Sequence, residues 1–345
     1  MRILIVGAGA IGSFLGHRLA TVSHEVTLVA RAPWVEAVGS QGLGLEEGGR
    51  VRFASNLRAV MDVHAVNGDV FDLAICATKV YDTAEAVQQT GLVVGRNTPL
   101  LLVQNGVGGE EVAAEVLPGV RCLSAVITLV VEVLSPGLIR LATTRGGVGL
   151  AAASPGAPVD EFAIMLRQAG FDRVAVYADY CAMRWSKLLL NIMGNAVPTI
   201  LDMSPVMVYA YRRMFDLERA VLQEALNVMQ NLGLRAVSLP GYPVPLFAWG
   251  MKWLPGAVLY PLFRRFLVGG RGGKTPSLHL DLLKGKSESE VDFLNGAVVA
   301  YAQRLGLQVP VNEALHRTLK TIVSGKIPWA EFRGQPQKLL AQVGW

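Results

Sequence analysis

The chain has 345 residues, of which 52% are hydrophobic and 17% charged, with a formal net charge of +5. That length accommodates two domains, each with a sizeable core. No uninterrupted apolar run reaches the roughly 18 residues of a transmembrane helix, the widely spaced Cys76, Cys122 and Cys181 exclude a disulfide framework or metal knuckle, and the scattered basic residues form no long stripe for nucleic acid.

The chain begins Ile3-Leu4-Ile5-Val6, then Gly7-Ala8-Gly9-Ala10-Ile11-Gly12, then an amphipathic segment. This reads as strand, glycine turn and helix, with no basic leader and cleavage site ahead of it. A cytoplasmic protein is the expectation, and each cysteine reads as a small buried apolar residue. In G-x-G-x-x-G each glycine has a mechanical role. Gly7 allows a tight turn, Gly9 admits a pyrophosphate close to the backbone, and Gly12 lets the helix pack against the strand. The helix N-terminus then offers free N–H groups to the phosphates. A second strand, residues 25–30, runs into Arg31, with no acid before Glu36. An NAD site usually places Asp or Glu there for the ribose 2′-hydroxyl. A guanidinium suits a 2′-phosphate, so the expected cofactor is NADPH.

Strand and helix signals then alternate. Residues 51–53 read as a short strand in an excursion, 71–77 as a buried strand, 81–89 as a helix and 99–103 as a further strand. Residues 122–129, 137–142 and 147–151 are also strand-like. The expected fold is α/β, an N-terminal Rossmann-type doubly wound sheet followed by an all-α C-terminal domain. Lys79 and Asn105 fall just past strand ends, where ligands bind in such sheets. From about Asp179 the texture turns helical, with helices expected over 209–232 and 290–305. The expected division is 1–180 for the nucleotide and 181–345 for substrate and dimerisation.

Residues 239–273, rich in proline, glycine and aromatics, interrupt the second half. Pro255 and Pro261 break any long helix there. Three readings stand for this segment: an apolar lid or subunit contact, a pair of helices on a membrane surface, and a buried helical hairpin. Arg264, Arg265, Arg271 and Lys274 form a small basic cluster that reads as a solvated face.

In Arg184-Trp185-Ser186-Lys187-Leu188-Leu189-Leu190-Asn191-Ile192-Met193-Gly194-Asn195, one continuous helix would place Lys187, Asn191 and Asn195 on a single stripe about 12 Å long. A lysine and two carboxamides in an apolar helix are costly to bury without partners.

The order of these motifs resembles the ketopantoate reductase family over residues 1 to about 330. It comprises GAGAIG, Arg31, Lys79-Val80-Tyr81-Asp82, Gln104-Asn105-Gly106, Trp-x-Lys-Leu-x-x-Asn-x-x-x-Asn, Pro276-Ser277-x-x-x-Asp281 and Glu290-Val-Asp-Phe-Leu-Asn-Gly296. The 239–273 segment looks like an insertion. The resemblance implies that Gly7 to Gly12 bind the NADPH pyrophosphate and Arg31 the 2′-phosphate. It places Lys79 near the cofactor and Asn105 by the nicotinamide ribose and the substrate. It makes Lys187 the general acid for reduction of a 2-oxo acid, with Asn191, Asn195 and Ser277 holding that substrate and Glu290 touching the cofactor. One extra residue after Gly285 makes Glu288 a rival for the Glu290 role. No metal is implied, because the nicotinamide carries the hydride. The five histidines show no zinc spacing, and His279 reads as a helix-face residue near Ser277. The implied reaction is the conversion of ketopantoate to pantoate for pantothenate and coenzyme A synthesis, by a protein that could pair as a homodimer. A relative acting on another 2-oxo acid or ketone, and a nucleotide-binding sensor without turnover, are the alternatives.

Overall fold

The structure, a computed structural model, describes residues 1–95, 97–268 and 275–345. By their internal contacts these form two compact units, Met1–Met183 with Leu239–Tyr242 and Arg184–Ser238 with Pro243–Trp345.

The first unit contains, in chain order, β1 (Arg2–Val6), α1 (Ala10–Ala20), β2 (Glu25–Val29), α2 (Ala32–Gln41), β3 (Leu43–Glu47), β4 (Arg50–Ala54), β5 (Leu57–Val60) and β6 (Leu73–Cys76). Then come α3 (Thr83–Gly91), β7 (Leu100–Leu102), α4 (Gly109–Val116), β8 (Cys122–Ile127), β9 (Val130–Ser135), β10 (Leu138–Thr143), β11 (Val148–Ala152), α5 (Val159–Gln168) and β12 (Val174–Tyr177). The main sheet has eight strands in the order β12-β11-β8-β7-β6-β1-β2-β5. From β5 to β8 the strands are parallel. β11 runs antiparallel to β8, and β12 parallel to β11. The winding reverses between β1 and β6, and the glycine turn follows β1 at that reversal.

The central strands β1, β6, β7 and β8 are almost wholly apolar because both faces of the sheet are covered there. Period-2 alternation divides their side chains between two cores. Ile3, Ile5, Leu73, Ile75 and Leu101 join one, with Phe14 and Leu15 of α1 and Phe162 of α5. Leu4, Val6, Ala74, Cys76, Leu100 and Leu102 join the other, with Ala86 and Val87 of α3 and Ala113 of α4.

The strand expected at 137–142 does not belong to this sheet. As β10 it lies in a separate four-stranded sheet of order β4-β3-β10-β9, packed on α1. The reason is local. Only residues 136 and 137 separate β9 from β10, so the pair closes as an antiparallel hairpin instead of crossing over. β3, β5, β9 and β12 had no clear sequence signal. Cys76 and Cys122 are buried as expected, but Cys181 is only half-buried.

α6 (Tyr180–Ile192) contributes residues to both units. The second unit continues with α7 (Ala196–Leu201), α8 (Pro205–Val208), α9 (Arg212–Asn231), α10 (Val244–Trp253), α11 (Gly256–Val268), α12 (Ser277–Leu283), α13 (Asn295–Arg304), α14 (Pro310–Val323) and α15 (Pro336–Gln342). α9 buries the stripe Met214, Leu217, Val221, Ala225 and Val228 and starts later than the expected residue 209. The helix expected over 290–305 is broken. Glu290–Phe293 form a 3₁₀ turn, and Leu294 at φ −110°, ψ −99° leaves the helical region before α13.

In the 239–273 segment Pro255 separates α10 from α11, whereas Pro261 lies inside α11 and does not end it. The pair is not a buried hairpin. Val244, Ala248 and Met251 are buried, but Leu246, Trp249 and Trp253 are 66%, 52% and 65% exposed. Arg264 and Arg265 are exposed on α11. Arg271, Lys274 and residues 269–273 of the segment lie outside the described residues. Among those described, no helix is long and apolar enough to cross a membrane.

Candidate active site

The glycine turn behaves mechanically as its spacing demands. Gly7 sits at φ +110°, where a Cβ would lie 2.7 Å from the Ala77 carbonyl carbon and the Thr78 nitrogen. The Gly7 N–H donates to the Val29 carbonyl at 3.2 Å, which ties the turn to β2. At Gly12 a Cβ would meet the Gly7 oxygen at 2.0 Å, so the first turn of α1 rests on the loop. Gly9 is different, because a Cβ there would meet nothing within 4 Å. Gly9 is the N-cap of α1 and provides no capping side chain, and the first turn holds no acid. The first intrahelical bond is Ser13 N–H to the Gly9 carbonyl. Ala10, Ile11 and Gly12 therefore carry amides with no intrahelical partner, beside the open space over Gly9. These residues, with Ala8 between the glycines, fit a diphosphate: donors, a positive helix end and room for the anion.

Arg31 is exposed and serves as the backbone N-cap of α2, two residues past the end of β2. Among the described residues its guanidinium has no hydrogen bond or ion pair, so it is available to an anion. Lys79 and Asn105 each lie three residues past a strand end, after β6 and β7. Lys79 is half-buried and Asn105 exposed. Between the two loops lies Gln104, which sequence reasoning passed over as a ligand neighbour. It is 6% exposed, and its Nε2 donates to Thr83 Oγ1 at 2.9 Å and Thr78 Oγ1 at 3.1 Å. Those bonds join the loop after β7 to the loop after β6 and set the backbone that carries Asn105 and Lys79. The signal in the sequence was a carboxamide directly following an apolar strand.

In the second unit Lys187 and Asn191 are four residues apart on α6, one turn along the same face, and both are half-buried. Asn195 does not extend this stripe. α6 stops at Ile192, Gly194 takes φ +64°, and Asn195 becomes the N-cap of α7. An L-residue side chain is strained at that φ, and glycine is not. The turn lets Asn195 leave the α6 axis and accept the Leu278 N–H on its Oδ1 at 3.3 Å. Leu278 follows Ser277, the exposed first residue of α12. The predicted triplet is thus two residues on one helix and a third on the next, adjacent to α12.

Residues beyond the predicted set support this geometry. His279 is 7% exposed, not on a solvated helix face. Its Nε2 donates to Asp202 Oδ1 at 2.8 Å, and its ring meets Trp329 edge-on at 5.4 Å. Asp202 follows α7, so that bond anchors α12 to α7 a second time. Trp329 Nε1 in turn donates to the Thr199 carbonyl at 2.9 Å. Glu218 on α9 is fully buried, and its Oε2 accepts the Gly194 N–H at 2.9 Å. Its signal was an acid inside the apolar stripe of α9. Burial pushes its carboxyl up to about 8, against the lowering effect of the Gly194 N–H. Of the two late acids, Glu290 is 4% exposed while Glu288 is exposed. The Ser289 side chain caps the Val291 N–H and holds the turn that buries Glu290.

Residues 3–154 match the family described as ketopantoate reductase PanE/ApbA, and residues 179–323 match its C-terminal counterpart. A 2-dehydropantoate 2-reductase of Pyrococcus horikoshii is 28% identical over 324 residues, covering 93% of this chain and 97% of that protein. One from Aquifex aeolicus is 25% identical over 324 residues, 93% and 96% of the two chains. Among solved structures, a PanE/ApbA family ketopantoate reductase from Ralstonia eutropha superposes with a TM-score of 0.79 at 27% identity, covering 94% of this chain and 99% of its own. D-mandelate dehydrogenase, solved with NADH and anilino(oxo)acetate, shares the fold with a TM-score of 0.79 at 21% identity over 94% of this chain and 99% of its own. Both units fall within these matches, and the chain is an oxidoreductase belonging to the ketopantoate reductase family.

Proposed function

We propose that this protein reduces 2-dehydropantoate to pantoate with NADPH, a step toward pantothenate and coenzyme A. The observation that carries this reading is the pairing of Lys187 with Asn191, one turn apart on α6, inside the span that matches the family's C-terminal part. In this reading the first unit holds the nucleotide and the second the 2-oxo acid.

Bound NADPH supplies a hydride to the ketone carbon. The uncapped amides of residues 10–12 bind its diphosphate, and Arg31 pairs with the 2′-phosphate. Lys79 and Asn105, held by the Gln104 bonds, flank the nucleotide. Lys187 as an ammonium stabilises charge gathering on the carbonyl oxygen and then delivers its proton there. Asn191, Asn195 and Ser277 hold the substrate's hydroxyl and carboxylate.

The test is NADPH oxidation with 2-dehydropantoate beside a panel of other 2-oxo acids, including bulky ones, and NADH in parallel. Preferred turnover of 2-dehydropantoate with NADPH is expected. Preference for another oxo acid would remove the substrate assignment. Tight NADPH binding without turnover of any of them would remove the catalytic one.

A further inference from the structure

Glu218 is the buried acid that the proposed chemistry does not use. It lies on α9 at 0% exposure. Its Oε2 takes the N–H of Gly194, the residue whose positive φ ends α6. The phenol of Tyr209, 2% exposed, is its other polar neighbour. Glu218 Oε1 and Tyr209 Oη are both buried without a hydrogen-bond partner among the described residues. Tyr209 also covers the turn, since a Cβ on Gly194 would sit 3.3 Å from its hydroxyl. The Tyr209 backbone is held in turn by Tyr260, whose hydroxyl donates to its carbonyl at 3.0 Å.

We propose that Glu218 is a positioning residue for substrate binding: its bond to Gly194 fixes the turn that takes Asn195 off α6 and aims its carboxamide at the start of α12, where Ser277 sits. The chain of contacts is continuous. Glu218 holds Gly194, Asn195 follows and accepts from Leu278, and Ser277 precedes Leu278. A buried N–H without an acceptor is costly, so removing the carboxyl favours a different turn. Asn195 and the first turn of α12 then lose their register. The carboxylic acid form is sufficient to hold the turn, because its carbonyl oxygen still accepts from Gly194.

This inference rests on the substrate roles proposed for Asn195 and Ser277, and two readouts separate its failure from theirs. The first is steady-state kinetics on Glu218→Leu and Glu218→Gln with 2-dehydropantoate and NADPH. Leucine keeps the bulk without an acceptor, whereas glutamine keeps the acceptor. Glu218→Leu should raise KM for the oxo acid at least about 10-fold with KM for NADPH within about 2-fold of the parent. Glu218→Gln should restore the oxo-acid KM to within about 3-fold. The second is amide hydrogen exchange at residues 194, 195 and 278, which should speed up in Glu218→Leu and not in Glu218→Gln. Should Glu218→Leu not fold, Gly194→Ala disturbs the same turn from the other side and should show the same KM split and faster exchange. Unchanged exchange in either disrupted variant, or equal rises in both KM values, overturns the positioning role. Faster exchange at the three amides with an unaltered oxo-acid KM keeps the structural link but removes Asn195 and Ser277 as substrate ligands, and the positioning role with them.

Discussion

Replacing Glu218 by glutamine should change how the protein's stability depends on pH. The folded carboxyl is pushed up to about 8 by burial, against an ordinary value of 4.5. Between those two values the unfolded chain has released this proton and the folded chain has kept it. The folded state therefore binds more protons there, and stability falls as pH rises from about 4.5 to about 8. Below that window the acid has no such cost, and above it the loss is complete. Each pH unit is about 1.36 kcal/mol, so the loss by pH 7 is on the order of 3 kcal/mol. Glutamine does not titrate. Its second amide N–H adds an offset that is constant with pH, while the glutamate loss grows. The stability of Glu218→Gln relative to the parent should thus rise by about 3 kcal/mol between pH 4.5 and 7. Urea unfolding followed by tryptophan fluorescence reads this directly, because five of the six tryptophans, Trp185, Trp249, Trp253, Trp329 and Trp345, lie in the second unit with Glu218. At ordinary urea m-values the relative midpoint should move by about 1 M or more. Parallel curves within about 0.5 kcal/mol across this range would refute the argument, since the buried acid would then titrate as an exposed one does.

The glycine turn allows a paired experiment. Gly12→Ala places a methyl 2.0 Å from the Gly7 oxygen and should cost at least about 1–3 kcal/mol in thermal unfolding, together with NADPH binding. Gly9→Ala meets no protein atom within 4 Å and should leave stability within about 0.5 kcal/mol while weakening NADPH. Equal stability losses would mean that the space over Gly9 is not reserved for a ligand. Lys187→Ala should lower kcat at least about 10²-fold, and an unchanged kcat would exclude it as the proton donor. Arg31→Ala should weaken NADPH far more than NADH in paired titrations, because only the 2′-phosphate needs the guanidinium. Equal weakening would make Arg31 a surface residue.

The central strands of the main sheet were legible because they are buried on both faces and read as unbroken apolar runs, as in Ile3–Val6 and Leu73–Cys76, whereas the less buried edge strands β5 and β12 gave no clear signal. β9, β10, β3 and β4 were harder. They form a small sheet with an exposed face, and their half-polar patterns resemble those of a surface excursion. The residues proposed for the nucleotide have fixed local spacing, so Gly7 to Gly12 and Arg31 could be placed from local chemistry. The residues proposed for the substrate, with the Glu218 that supports them, are spread over α6, α7, α9 and α12, and their geometry depends on a turn. Counting in fours put Asn195 on the Lys187–Asn191 stripe, but that count holds only while the helix continues.

The amino-acid order by itself determined the glycine turn, its uncapped helix and the cation that follows β2. Each follows from which φ angles, close approaches and charges its own residues allow. It also determined the pairing of Lys187 with Asn191, because one turn of helix is local. Only the tertiary structure decided where α6 ends. Gly194 permits the left-handed turn, but it is Glu218, 24 residues away and fully buried, that occupies its N–H. A glycine's freedom is written in the chain, whereas the partner that selects one of its conformations is brought to it by folding.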